Sequence, residues 1–334
     1  MTLSDRWHRL WRFEYWPFWA FYMPVWFAWP FLALRGRSLV FFTASNPFIP
    51  LGGCLEESKS AILSQLPKAY LPDWKLINRV EECDALQFSW PLIAKPDVGE
   101  RGDNVALVRG LSELKKYATE LQRSFIVQEF LPSPFEAGVM VVRLPATNKV
   151  IVTSIVTKGF LQVTGDGRSP IADLVEALPR ARFQWQRLRT SGVDGTRVPA
   201  FGEVVLLEPI GNHKRGTTFI GGQHLRNAAV QARVEKIVAD IPGFYFGRFD
   251  LKAPSLEAFA RGEGWKIMEL NGAFSEPGHI YDPHEKLWRA WRDLVYHWWM
   301  LAVVSGQNIR RGKNAGGFWE FMRVWKAYRH RDLA

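Results

Sequence analysis

The 334-residue chain has only two cysteines, Cys54 and Cys83, and they sit in unrelated surroundings. With no C-x-x-C pair there is no thiolate framework for a structural zinc or a dithiol redox centre, and a reducing, cytoplasmic setting follows. An unbroken membrane-crossing run is also missing: the uncharged stretch at residues 17–34 contains Pro24 and Pro30, which argue against one straight helix. That stretch is too aromatic for a signal peptide, is followed by Arg35 and Arg37, and has no small-residue cleavage site after it. The chain carries no recognition helix, basic stripe over its core or RNA-binding motif, which excludes nucleic acid as a partner despite a net charge of +10.

What is present is unevenly placed. Residues 1–37 hold five arginines against Asp5 and Glu14, and residues 309–334 hold seven Lys and Arg against Glu320 and Asp332, so most of the basic excess sits at the two ends. The same ends carry Trp7, Trp11, Trp16, Trp19, Trp26 and Trp29, and then Trp319 and Trp325. Tryptophan interleaved with arginine suits a lipid headgroup region. Residues 1–37 are expected to lie along one leaflet of an anionic membrane or dip into it; a helical hairpin packed on the protein, or on a second subunit, is the alternative. In the tail, Phe318, Phe321, Met322 and Trp325 recur at helical spacing among Arg323, Lys326, Arg329 and Arg331. The spacing predicts a basic amphipathic helix, bound to lipid or to its own domain.

Between the ends, strand-like runs alternate with helical ones, which indicates an α+β chain. "SLVFFTASN" reads as a buried strand, "EESKSAILSQL" as a helix and "WPLIAKP" as a strand ending near Lys95. The loop "DVGERGDNV" can bring successive N–H groups close to phosphate oxygens. The helix "LSELKKYATELQ" and the strands "SFIVQEFL" and "SPFEAGVMVVRL" follow. In "VTGDGRSPI", Asp166 makes a tight turn flanked by Lys158 and Arg168, cations for a phosphate or simply exposed ones. In "GRFDLK" and "MELNG", strand alternation points Arg248, Asp250 and Lys252 one way and Glu269 and Asn271 together. If the two strands pair, their oxygens converge as ligands for a hard cation. The competing reading is a buried Arg248–Asp250 ion pair with Asn271 capping a turn at Gly272.

"IAKP", the glycine loop, "VQEFLPSPFEAGV", "GRFDL" and "MELNG" occur in an order, across residues 54–285, that resembles the ATP-grasp superfamily. Within it the chain looks most like carboxylate–amine ligases of the D-alanine–D-alanine ligase type. The resemblance implies an ATP-grasp fold, two α+β subdomains clasping ATP, with the aromatic N-terminal helical segment and the basic amphipathic C-terminal helix added. The expected divisions are 1–37, a short α/β region 38–90, a small subdomain 91–132, a catalytic subdomain 133–285 and C-terminal helices 286–334.

The same resemblance implies ATP and Mg²⁺, two ions, with Mn²⁺ as a substitute, held by Asp250, Glu269 and Asn271. It puts Lys59 and Lys95 on phosphates under a loop of Gly99, Arg101 and Gly102, the adenine edge at Gln128, Glu129 and Leu131, and the ribose at Glu136, and it leaves Lys158 as a further cation for the nucleotide or an acidic substrate group. Arg248, with Lys214 or Arg215, would stabilise the transferring phosphoryl group. His213, Ser275, Glu276, His279 and Tyr281 would meet the acceptor, His279 as its general base. The α/β domain that precedes the core in the D-alanine ligase type is reduced here, so substrate identity does not transfer. The implied activity is ATP-dependent joining of a carboxylate to an amine through an acyl phosphate, on a small-molecule or lipid-linked substrate, in the cytoplasm or peripheral to the cytoplasmic membrane face. The alternatives are a phosphotransferase that forms no amide, or a membrane-associated nucleotide-binding protein without turnover.

Overall fold

The computed structural model describes residues 11–99, 102–211 and 215–331. Eleven strands form three antiparallel sheets among these residues. Four of them, β1 (Trp74–Ile77), β2 (Leu92–Pro96), β3 (Ala106–Val108) and β4 (Phe125–Glu129), make a sheet in the order β1-β4-β2-β3. A helix, α2 (Leu111–Leu121), covers it by burying Leu114 and Ala118. The sheet's first strand in the chain is β1, which joins it by pairing antiparallel with β4.

The central sheet has the order β11-β10-β5-β6-β9. Its strands are β5 (Phe135–Arg143), β6 (Val150–Gly159), β9 (Thr218–Gly221), β10 (Phe246–Ala253) and β11 (Lys266–Asn271). Strand alternation gives it two apolar faces. Ala137, Val139 and Val141 of β5 join Phe249 and Leu251 of β10 on one face, where α3 (Ala228–Ala239) contributes Val230, Val234 and Ile237. Asn227 caps α3 by accepting from the Val230 amide. Met140, Val142 and Phe246 lie on the other face. A third, two-stranded sheet, β7 (Leu161–Thr164) with β8 (Val204–Glu208), holds its own small core.

The N-terminal segment covers that second face. Helix α1 (Met23–Gly36) packs beside the long helix α4 (Leu287–Arg310), and Val25, Leu32 and Phe21 share one core with Leu294, Leu301 and Val304. Trp291 donates its indole N–H to the Phe21 carbonyl, 3.0 Å away. The close approach needs glycine, since a Cβ on Gly306 would stand 2.4 Å from the Arg35 carbonyl oxygen. Pro24 falls in the first helical turn, where its missing N–H costs nothing, and the helix runs on through Pro30. Among the described residues no helix is long and apolar enough to cross a membrane. The C-terminal helix α5 (Phe318–Arg331) forms as its spacing predicts, with Phe321 and Trp325 against the same core.

"SLVFFTASN" is buried from Val40 to Asn46, with Leu39 exposed, and is not a strand. Phe41–Ala44 form a 3₁₀ turn. An apolar run buried on all sides carries no period to separate the two, and the local hydrogen bonds decide it: Thr43 Oγ1 donates to the Val40 carbonyl at 2.8 Å. Asn46 then fixes the segment to β10, donating to Phe246 O at 2.7 Å and accepting from the Tyr245 and Phe246 amides at 2.9 and 3.0 Å.

Candidate active site

The polar residues of β10 and β11 stand in register. Arg248 is opposite Asn271 and Asp250 opposite Glu269, so the expected pairing is present. Arg248, Asp250 and Lys252 continue the face that begins with Phe246; Arg248 and Asp250 line the cleft between the central and four-stranded sheets, while Lys252 donates to the Leu131 carbonyl. Gly138 of β5 lies opposite Asp250 and makes room: a Cβ there would sit 3.1 Å from Arg248 Cδ and 3.3 Å from Asp250 Oδ1.

Asp250 is held between two cations. Arg248 Nε donates to Oδ1 at 2.7 Å and Nη2 to Oδ2 at 3.2 Å, while Lys158 Nζ lies 3.5 Å from Oδ2. Burial alone would push this carboxyl up, but Arg248 and Lys158 outweigh it and hold it at about 2. Lys158 also donates to Glu136 at 2.5 Å, and both side chains are buried. The Arg248–Asp250 pair read as the competing alternative is thus real, and it shares one network with Glu136.

Lys95, nearly buried, donates to the Met268 carbonyl at 3.0 Å. Desolvation lowers its pKa to about 8, against the opposing pull of Glu269. Lys59 donates to the Gly99 carbonyl at 2.5 Å and lies 3.8 Å from Glu269. Its helix, Lys59–Leu63, is capped by Ser58, whose hydroxyl is bound by Asp97 at 2.8 Å. Arg215 ties the glycine loop to the larger subdomain, donating to the carbonyls of Gly102 at 3.0 Å and Val105 at 2.8 Å. Its guanidinium is therefore a clamp on the loop. Arg101, His213 and Lys214 lie outside the described residues.

At the edge expected to meet a base, Gln128 is fully buried with both amide atoms lacking a hydrogen-bond partner. Such a group is costly unless something fills its place. The Leu131 carbonyl accepts from Lys252 at 2.8 Å, and Glu129 turns back to the Asp73 amide at 3.4 Å.

The acceptor-side residues divide. Glu276 accepts from Tyr281 at 2.9 Å and from Tyr22, and its carbonyl accepts from Arg248 at 3.0 Å, so it joins the site. Ser275 donates to Gly272 O at 2.6 Å and lines the same cleft. His279 does not: it is buried behind the site, with Nδ1 at 2.6 Å from Ser154 Oγ and Nε2 at 3.0 Å from Asp293. With both ring nitrogens engaged it has none to offer a substrate. Sequence reasoning missed Tyr22, which belongs to the aromatic segment, and Glu208, which is ion-paired with Arg187 and lies 3.8 Å from Arg215.

The donor set suits a hard divalent cation. No cluster of three or more His, Cys, Asp or Glu side chains that could hold a metal converges among the described residues; Asp250 and Glu269 stand on adjacent strands and could, with the Asn271 amide, offer three oxygens to such a cation. Asn271 Nδ2 is buried without a partner, and an amide can turn its oxygen into that place.

No family model matches the chain, and no curated protein matches it. Among solved structures there are matches at low identity. The chain is similar to a D-Ala:D-Ser ligase from Enterococcus faecalis at 14% identity and a TM-score of 0.42, covering 75% of this chain and 61% of that one. It is similar to a D-alanine–D-alanine ligase from Bacillus anthracis at 15% identity and 0.42, covering 80% and 70%. With a bifunctional glutathione synthetase from Pasteurella multocida the identity is 15% and the TM-score 0.38, covering 72% of this chain and 36% of that one. The chain thus spans only part of the length of these structures.

Proposed function

We propose that this protein is an ATP-dependent carboxylate–amine ligase that works through an acyl phosphate. One observation carries the reading: Lys95, Lys158, Arg248, Asp250, Glu269 and Asn271 line a single cleft between the two sheets, most of them largely withdrawn from water. Charges this deep serve chemistry more readily than stability, since apolar residues would pack there at less cost. Lys59, Lys95 and Lys158 would neutralise the phosphates, Gln128 would bond the adenine edge and Glu136 the ribose hydroxyls. Mg²⁺, held by Asp250, Glu269 and Asn271, would draw charge from the phosphate oxygens.

In the first step a substrate carboxylate oxygen attacks the terminal phosphorus of ATP and ADP leaves. In the second the amine attacks the acyl carbon, inorganic phosphate leaves and the amine gives up a proton. Arg248 reaches both Asp250 and the Glu276 backbone, where it would stabilise the transferring phosphoryl group and then the tetrahedral oxyanion. Glu276, whose carboxylate oxygens keep lone pairs beyond the bonds they accept from Tyr22 and Tyr281, would take the proton in place of His279. The test is to trap the reaction with hydroxylamine in the presence of ATP, Mg²⁺ and candidate carboxylates. A hydroxamate formed with ADP supports the reading; a phosphorylated acceptor without hydroxamate would identify a phosphotransferase instead.

We further propose that the outer face of α1 rests on an anionic bilayer surface. Met23, Phe27, Phe31 and Leu34 repeat along it, each between 46% and 80% exposed, beside Trp288 and Trp299 of α4. Arg35 lies over the Trp299 ring at 5.9 Å, a pairing suited to the headgroup boundary. Phe27→Glu with Phe31→Glu leaves the Val25 and Leu32 packing in place and is expected to abolish sedimentation with phosphatidylglycerol vesicles. Equal sedimentation of wild type and variant would contradict this.

A further inference from the structure

The cleft is larger than the proposed chemistry needs. Its volume is about 1220 Å³, above the range of roughly 300–1,000 Å³ usual for small-molecule sites. The polar groups named above occupy one part. The remainder is walled by rings that follow one another in contact: Trp26 to Trp29 at 6.1 Å, Trp29 to Trp298 at 5.5 Å, Trp298 to Phe274 at 5.9 Å, Phe274 to Phe42 at 4.9 Å and Phe42 to Phe321 at 5.1 Å. Met322 and Trp325 of α5 line it too. Phe274 stands three positions after Asn271, so the aromatic wall starts where the candidate metal ligands end. Phe18, Trp26 and Phe318 both line the cavity and are exposed, which makes them the rim of an apolar mouth.

A wall of Trp, Phe and Met is mostly carbon, with the indole N–H its one polar group and no charge to meet a phosphate, and an open apolar compartment is a standing cost unless an apolar group enters it. Between the two compartments sits Glu276, bonded by Tyr22 and Tyr281, all three lining the cavity. Tyr22 is buried, and burial beside the Glu276 carboxylate raises its pKa well above the ordinary phenol value, so it stays a hydrogen-bond donor at neutral pH. The two tyrosines thus fix a carboxylate at the junction of polar and apolar walls.

We propose that the aromatic compartment built by α1, α4 and α5 binds the hydrocarbon tail of an amphiphilic substrate, whose carboxylate or amine head lies at Arg248 and Glu276. This deepens the ligase reading and rests on it for the head group, but the tail compartment can be tested apart from turnover.

The probe is dansyl-labelled undecanoate, titrated into the 334-residue chain without nucleotide and followed by fluorescence. Saturable binding is expected, displaced by dodecanoate and not by butyrate, with competitor affinity rising roughly fourfold per methylene until the compartment is filled. Met322→Glu and Trp26→Gln, at partly exposed positions, are each expected to weaken the probe by at least about tenfold, whereas Trp319→Gln, exposed and outside the cavity, leaves it unchanged. Far-UV circular dichroism checks that each variant is folded. A second arm measures ADP release with carboxylates of increasing chain length. Probe binding without ADP release from any carboxylate would leave the compartment standing and remove the ligase reading. ADP release from short polar carboxylates, with no probe binding or with binding that ignores Met322→Glu and Trp26→Gln, would overturn the compartment and leave the ligase reading.

Discussion

Asp250 stands directly opposite Glu269 across the antiparallel β10–β11 pair, and the two carboxylates are offset by Arg248 and Lys158 on one side and Lys59 on the other. Removing one charge from this set therefore acts on chemistry and on stability together. Asp250→Asn is expected to lower Mg²⁺-dependent ATP turnover by at least about a hundredfold. It leaves Arg248 and Lys158 short of an anion, a loss of about 3 kcal/mol. Steady-state ADP release and a urea unfolding curve measure the two effects separately.

The same carboxyl sets an acid limit. Asp250 titrates at about 2 in the folded protein, below an ordinary carboxyl at 3.8. The stability it contributes is fully present above 3.8 and is lost as pH falls toward 2. Wild type should lose more stability than Asp250→Asn across that window, as read from thermal midpoints.

Lys95 gives the same slope in an alkaline window. It titrates at about 8 when folded against 10.5 ordinarily, so between those values the unfolded chain holds more protons and stability rises with pH. Phosphate oxygens favour the charged amine and reverse this on binding. Nucleotide binding is expected to take up a proton near pH 8, visible by calorimetry in two buffers of different ionisation enthalpy, and Lys95→Met is expected to abolish the uptake.

Gly138 leaves the space that Arg248 and Asp250 occupy, and a methyl group there would meet Val156 Cγ1 at 2.9 Å. Gly138→Ala is expected to cost about 1–3 kcal/mol through overpacking. It should lower turnover by more than the loss of folded protein explains, measured as turnover per folded molecule.

Asn46→Ala removes hydrogen bonds to the Gly52 and Phe246 carbonyls and to two amides of the β10 approach, all inside the protein. A loss of about 3 kcal/mol is expected from the stranded backbone groups, measured by urea unfolding.

The strands that carry charge were the most legible part of the sequence. Period-two alternation placed Arg248 with Asp250 and Glu269 with Asn271, because a one-residue slip would have turned every one of them to the opposite face. The lone turn at Asp166 was equally plain: its carboxylate accepts from the Arg168 and Ser169 amides at 2.8 and 2.7 Å. Contacts between distant segments were not legible. Nothing near Tyr22 signals its bond to Glu276, and nothing near Phe21 signals Trp291. His279 looked like a loop histidine because its partners, Ser154 and Asp293, come from a strand and a helix that only the fold brings together. The aromatic run at residues 17–34 held two purposes at once, core on the α4 side and exposed rings on the other, and composition alone could not divide them.

The central claim is that the cleft between the two sheets is a site for ATP with a divalent cation. It is tested most directly by calorimetric titration of the 334-residue chain with a non-hydrolysable ATP analogue, with and without Mg²⁺. One site per chain is expected, weakened by at least about tenfold when Mg²⁺ is withheld and equally when Glu269 is changed to Gln. Absence of binding at millimolar analogue, or binding indifferent to both Mg²⁺ and Glu269→Gln, would contradict it.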